Sequence, residues 1–305
     1  MTSLMKVIAQ RFFGQAGSGK DPMASSAEEY VRMAYLVLLR REVDSSGLAS
    51  WCERIAAGRF DRQQVINTIL ASDEYRSRFG IDLVGIQNRA RQEWIRTVPR
   101  FDRILDIGGS SPTSPEGALI ELGYSHHPTR LDILDKPPDE QYWGKPRYDQ
   151  SVSSRFDWGE VNYFHGSGER VADVPGLQNR TYDCVFLGQA IEHIWPEQLG
   201  GMLAWIRNHL AEHGVLIFDT PNRLLTKIQC PESWIDPDHK HEYTPAEMEQ
   251  VLDGAAFDVV RRVGILHLPR QAACGKYDIR EFAEGALLSD DADACYMFAF
   301  EAKPR

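Results

Sequence analysis

Arg103-Ile-Leu-Asp-Ile-Gly-Gly109, running on into Ser110-Ser-Pro-Thr-Ser-Pro115, decides how the rest of the chain reads. An apolar run of strand length that ends in an acid and two glycines, then breaks into turn residues, is a buried parallel strand feeding a ligand-binding loop. The glycines let a backbone pass close to a bound group. In doubly wound sheets that group sits at the carboxyl ends of the strands. Outward from this stretch the same grammar repeats. Thr129–Leu134 carries Asp132 and ends near Asp135. Val161–Phe164 leads into Gly166-Ser-Gly168-Glu169, and Asp183–Leu187 into Gly188-Gln-Ala-Ile-Glu-His193. A helix from Pro196 to about Leu210 precedes a strand at Val215–Asp219. Pro245–Leu252 is a further helix, and Val259–Val263 and Tyr296–Glu301 supply the last two of seven strands. Strands alternating with helices imply a parallel sheet covered on both faces.

Upstream the period changes to that of helices. Val31, Tyr35, Leu38 and Leu39 share one helical face. Asp44-Ser-Ser-Gly47 is turn chemistry. Leu48, Trp51, Cys52 and Ile55 mark a second helix, which Gly58 ends. Asp61, with Gln64 three residues on, is expected to cap a third helix burying Val65, Ile66, Ile69 and Leu70. Ser72 is expected to cap a short fourth piece with Tyr75 and Phe79 inward. Ile81–Val98 reads as one more helix, with Leu83, Ile86, Ala90 and Trp94 on its apolar face and Arg89, Arg91 and Arg96 on its polar sides; Pro99 stops it. The expected organisation is a tail over 1–26, a small all-α domain over 27–80 and the sheet domain over 81–305.

The 305 residues carry a formal net charge of -10, which argues against nucleic acid as a partner of the whole chain. Five scattered cysteines without a CxxC pair read as reduced thiols in the cytoplasm. No apolar run approaches the roughly 18 residues of a membrane span. In the tail Leu4, Ile8 and Phe12 share a helical face beside Lys6, Arg11 and Lys20. A disordered tail is one reading. A helix lying at the inner membrane surface, or docking on a glycan-assembly partner, is the other. Gly14–Lys20 is not a phosphate loop, because Asp21 and Pro22 follow where Ser or Thr and a helix are required.

Two resemblances follow from these residues. Tyr35, Leu39-Arg40-Arg41-Glu42, Asp44, Gly47-Leu48, Trp51, Gly58, Ser72 and Glu74-Tyr75 resemble the DUF4214 family of small helical modules. Asp106-Ile-Gly108-Gly109, Tyr182–Phe186 with Glu192-His193, Phe218-Asp219-Thr220-Pro221-Asn222 and His239-x-His241-x-Tyr243-Thr244-Pro245 resemble the class I methyltransferases, in the branch of quinone- and glycan-modifying enzymes. That resemblance implies a Rossmann-like, doubly wound, seven-stranded sheet and S-adenosyl-L-methionine as cofactor. It places Asp106, Gly108 and Gly109 against the methionine part, Asp132 at the ribose diol and Glu169 at the adenine amino group, with Gln189 beside the same pocket. The family's loop carries further glycines where this chain has Ser110 and Pro112.

Methyl transfer to a hydroxyl calls for a positioned base. His193, just after the fourth strand, is the first candidate, with His239 and His241 in a polar loop as the others. Asp238, His239, His241 and Glu192-His193 offer oxygen and nitrogen ligands, but their spacing is too weak to assign a metal, and none is assigned. The helical module resembles ones found beside bacterial surface-polysaccharide enzymes, which implies a glycan acceptor. Tyr142, Trp143, Tyr148, Phe156 and Trp158 would suit stacking on sugar faces. A small-molecule O- or N-methyltransferase and a non-catalytic scaffold are the alternatives.

Overall fold

The structure is a computed structural model that describes residues 26–305 apart from Arg40, Asp61, Ala71, Asp73, Arg76, Ser77, Phe79, Tyr142, Trp143, Gly144 and Pro237. The tail, the Asp61 cap, Phe79 and the first two aromatics of the insert therefore lie outside the described residues. By its contacts the chain divides into two compact units. One takes the described residues up to Gln87 together with Leu224–His239 and Arg270–Gly285; the other takes Asn88–Arg223, Lys240–Pro269 and Ala286–Arg305.

The first unit opens with α1 (Ala27–Leu38). The Ser26 hydroxyl accepts the Glu29 N–H at 3.1 Å while the Glu29 carboxylate accepts the Ser26 N–H at 2.9 Å, a reciprocal cap. In α2 (Ser45–Ala56) Asp44 accepts the Gly47 N–H at 2.8 Å. α3 (Arg62–Leu70) buries Val65, Ile66, Ile69 and Leu70 as its periodicity predicts. Trp51 donates to the Tyr35 hydroxyl at 3.0 Å and meets Phe60 edge-on at 5.5 Å, so it is a packing residue of this unit. Arg41 pairs with Glu74 through two 2.6 Å hydrogen bonds. The later stretches add buried Cys230 and Phe282. Burial pushes the Tyr277 hydroxyl up, with Tyr75 and Cys230 adding to the push. The helical unit is thus not made from residues 27–80 alone. Short helices bury too little apolar surface by themselves, and stretches from later in the chain join them.

α4 (Leu83–Ile95) leads into the second unit, where it stacks Trp94 on Phe186 at 5.7 Å. The strands are β1 (Arg103–Ile107), β2 (Arg130–Asp135), β3 (Ser154–Phe156), β4 (Gly159–His165), β5 (Tyr182–Gly188), β6 (Leu210–Pro221), β7 (Phe257–His267), β8 (Leu288–Ser289) and β9 (Cys295–Pro304). The helices between them are α5 (Ala118–Glu121), α6 (Pro196–His209), α7 (Arg223–Gln229), α8 (Pro245–Gly254), α9 (Pro269–Cys274) and α10 (Ile279–Glu284), of which α7 from Leu224, α9 from Arg270 and α10 belong to the first unit.

The strands order as β3-β4-β2-β1-β5-β6-β9-β7-β8. β4, β2, β1, β5 and β6 run parallel, and β9 lies antiparallel between β6 and β7. The sheet is the expected α/β one; β3 and β8 are short edge strands beyond the seven expected. Leu105, Ile107, Leu134, Val185, Leu187, Phe218 and Phe300 share one core with Leu203 and Ile206 of α6. Such continuous burial is what a sheet covered on both faces requires. From β1 the order runs out through β2 and β4 on one side and through β5 and β6 on the other. The switch point therefore falls between β1 and β5, where Asp106 pairs in register with Phe186. No helix of the described residues is long and apolar enough to cross a membrane.

Candidate active site

At the carboxyl end of β1 the Asp106 side chain is 1% exposed, and its Oδ2 meets no hydrogen-bond partner. Burial pushes this carboxyl up to about 8, Asp135 adding to the rise while the Arg91 charge opposes it. Gly109 lies directly over it. A Cβ there would stand 2.1 Å from the Asp106 carboxyl carbon, so the residue has to be glycine. Gly108 takes φ +81°, and a Cβ on it would press on the Ala190 Cβ at 3.2 Å. Its N–H donates to Leu134 O at 2.8 Å, and Gly109 O accepts the Ala118 N–H at 2.8 Å, which ties the loop to β2 and to the start of α5.

The structure corrects one expectation on β2. Asp132 is fully buried, and its carboxylate is taken by Arg180 at 2.7 and 2.8 Å, Tyr182 at 3.0 Å and Asn162 at 2.9 Å. These bonds tie β2 to β4 and to the start of β5. Side chains alternate along a strand, so three residues on, Asp135 projects from the other face and at the strand's end. Its Oδ2 accepts the Ser110 N–H at 3.0 Å and its Oδ1 the Lys136 N–H at 2.7 Å. Glu169 stands half-exposed in the 3-10 turn Gly168–Asp173 that follows β4.

Beyond β5 the chain turns through Gln189 at φ +54°, a strained value for a side-chain-bearing residue. Asp219, at the end of β6, holds that turn twice: its carbonyl accepts the Gln189 N–H at 3.0 Å and its carboxylate the Gln189 amide at 2.7 Å. Arg91 of α4 closes on the same carboxylate, Nε at 2.7 Å and Nη2 at 3.2 Å. Gln189 is therefore fixed in place, next in the chain to Ala190, which stands against Gly108. The neighbouring Glu192 is buried and accepts the Thr220 hydroxyl at 2.9 Å. Its carbonyl accepts the backbone N–H groups of Lys240 and His241 at 2.8 and 3.1 Å.

His193 ends the short 3-10 turn Ile191–His193 at this edge and is half-exposed. His241 packs on the buried Tyr243 ring at 4.4 Å. His239 belongs to the first unit, where its N–H donates to Asp236 O at 3.2 Å. The expected polar loop around these histidines is thus a pinned segment: Lys240 and His241 hang from Glu192, and Glu242 and Tyr243 are buried.

The described aromatics of the insert make contacts within the protein. Phe156 and His127 stack on Trp158, each at 5.2 Å, and Trp158 donates to Glu116 at 2.9 Å. Tyr148 donates to the carbonyl of Ser111. These contacts anchor loops, and Trp158 is stacked by both Phe156 and His127. The sequence missed Arg91, which it left on a polar helix side, and Asp135, which it used only to mark a strand end. Arg91 gave no local signal, because its partner lies 128 residues downstream.

The residues present fit S-adenosylmethionine: an unsatisfied buried carboxylate, a glycine pair that a Cβ would jam, and a carboxylate at the end of β2. Residues 10–79 match the family described as "Domain of unknown function (DUF4214)". A Mycolicibacterium smegmatis protein named "Probable S-adenosylmethionine-dependent methyltransferase" is 29% identical over 122 residues, 39% of this chain and 45% of that protein. The match thus spans less than half the length of that relative. A SAM-dependent methyltransferase from Thermotoga maritima is similar in structure, with TM-score 0.48 and 14% identity, covering 76% of this chain and 95% of that one. Another from Archaeoglobus fulgidus gives TM-score 0.47 and 16% identity, covering 75% of this chain and 97% of that one. Residues 10–79 are thus similar to the DUF4214 family, and a 122-residue stretch of the chain is similar to a protein named as a probable S-adenosylmethionine-dependent methyltransferase.

Proposed function

We propose that the second unit binds S-adenosylmethionine at the loop after β1 and transfers its methyl group to a hydroxyl, that of a sugar in a bacterial surface polysaccharide or lipid-linked glycan. The observation that carries the cofactor reading is Asp106: a buried carboxylate with an unpartnered oxygen beneath two glycines. An unpaired buried acid is costly, and a cationic ligand group offsets that cost. Asp135, Asp219 and Glu192 stand at or just past the carboxyl ends of β2, β6 and β5, an acidic surround that suits a sulfonium.

When bound, the cofactor supplies an electrophilic methyl carbon open to in-line displacement. The chain's part is to align the acceptor and take its proton. Asp219 is engaged by Arg91 and Gln189, so it orients the wall and is not the base. His193 stands at the edge between β5 and β6 and is the base in this proposal. The glycan acceptor is supported by the resemblance of the helical segment to modules beside surface-polysaccharide enzymes. Association with the inner membrane face or a glycan-assembly partner through the N-terminal region belongs to the same proposal.

The test is methyl transfer from labelled cofactor to lipid-linked glycan and to small-molecule hydroxyls and amines. His193→Ala is expected to leave the affinity for S-adenosylhomocysteine unchanged and to lower turnover roughly a hundredfold or more. Turnover and pH profile equal to those of the unmodified chain would remove His193 from the role. Transfer only to small molecules would replace the glycan.

A further inference from the structure

The loop after β1 departs from its family pattern at Ser110 and Pro112, and the structure shows what stands in for the missing glycines. Ser111 is 1% exposed, and its hydroxyl accepts the N–H groups of Thr113 and Ser114, both at 3.1 Å. That hydroxyl donates to Glu121 Oε2, and the Thr113 hydroxyl donates to Glu121 Oε1 at 2.6 Å. Further along the loop, Pro112 O accepts the Arg147 N–H at 3.3 Å and Pro115 O accepts the Tyr163 hydroxyl at 2.9 Å. Glycines would give this loop its path through conformational freedom. Here side chains fix one path instead, and one carboxylate spans both hydroxyls.

We propose that Glu121 is a positioning residue for the cofactor loop: it holds Ser111 and Thr113 so that Gly108–Ser110 keep the form that admits the ligand. This rests on the cofactor reading above. The geometry is local and directed. Glu121 closes α5, whose first N–H, that of Ala118, is bonded to Gly109 O, so the carboxylate and the glycine pair are linked through one short helix. Hydrogen bonds to a charged acceptor are the stronger kind, and two of them converge here. Glu121 itself is exposed, so removing it spares the core.

Three variants of the full chain, Glu121→Ala, Glu121→Gln and Thr113→Val, and the Glu121→Ala/Thr113→Val double variant make the test. The probes are S-adenosylhomocysteine binding by calorimetry and amide exchange of residues 111–116 without ligand. Glu121→Ala is expected to weaken binding about tenfold or more and to speed exchange in the loop, with little change in melting temperature. Glu121→Gln, which can still accept one hydroxyl, should recover most of both. The double variant should be no worse than Glu121→Ala, because both changes cut the same contact. If Glu121→Ala binds as the unmodified chain does, or the two substitutions add, this inference fails alone. If the unmodified chain binds no S-adenosylhomocysteine, the cofactor reading fails and takes the inference with it.

Discussion

Arg91 and Asp219, 128 residues apart in the chain, meet through two guanidinium–carboxylate hydrogen bonds of 2.7 and 3.2 Å. Asp219 is fully buried, and the Arg91 side chain is 13% exposed. The pair ties the helix before the sheet to the end of β6 and, through Gln189, to the wall beside Gly108. Burial opposes the Arg91 charge, while Asp219, Glu192 and Asp106 sustain it. Breaking a buried pair from one side strands the other charge. Arg91→Met alone should therefore destabilise the chain by about 3–5 kcal/mol in urea unfolding. Arg91→Met with Asp219→Leu should cost clearly less than the two single changes summed. A simple sum would mean that the two residues do not act as a pair.

Asp106 makes stability and binding depend on pH in a stated direction. An unfolded aspartate titrates near 3.9 by general reference, whereas burial raises the folded Asp106 to about 8. Between those values the folded chain holds a proton that the unfolded chain has lost. This residue's contribution to stability is therefore best below the unfolded value, and it erodes as pH rises toward 8. Asp106→Asn should flatten the fall in melting temperature over that window. A cationic ligand group at Asp106 favours the ionised form, so S-adenosylhomocysteine binding near neutral pH should release a proton. That release would appear as a calorimetric enthalpy varying with the buffer's ionisation enthalpy. An identical pH slope in Asp106→Asn would assign the effect to other groups.

Asp135 and Asp132 separate binding from scaffolding. We expect Asp135→Asn to weaken S-adenosylhomocysteine about tenfold or more, as the loss of a charged hydrogen-bonding group does. Asp132→Asn should act on folding, because Arg180 and Arg130 would lose their counter-charge. Its signature is a lower urea midpoint with ligand affinity kept in the folded fraction. The reverse pattern would restore Asp132 to the diol.

The sheet was legible because strand burial writes itself as continuous apolar runs, and Asp106-Ile-Gly108-Gly109 carries its loop geometry in its residue types. Asp132 misled because two acids sit within one strand, and only its partners, Asn162 from one distant stretch and Arg180 and Tyr182 from another, show how that acid is engaged. The contacts of Tyr148 and Trp158 were equally hidden in the sequence. Composition marks aromatics as candidate platforms, but what they touch depends on Phe156 and His127 for Trp158 and on Ser111 and Tyr163 for Tyr148. The helical unit was legible as helices and not as a boundary, since Leu224–His239 and Arg270–Gly285 join it from far along the chain.

Calorimetric titration of S-adenosylhomocysteine into the full chain and its Gly108→Val variant shows whether the loop after β1 is a cofactor site. At φ +81°, with Ala190 3.2 Å from the Cβ position, valine is strained and closes the loop's nearest approach. The account predicts saturable binding to the unmodified chain and none to Gly108→Val, with the variant still folded by circular dichroism. Binding that survives Gly108→Val, or none by the unmodified chain, would contradict it.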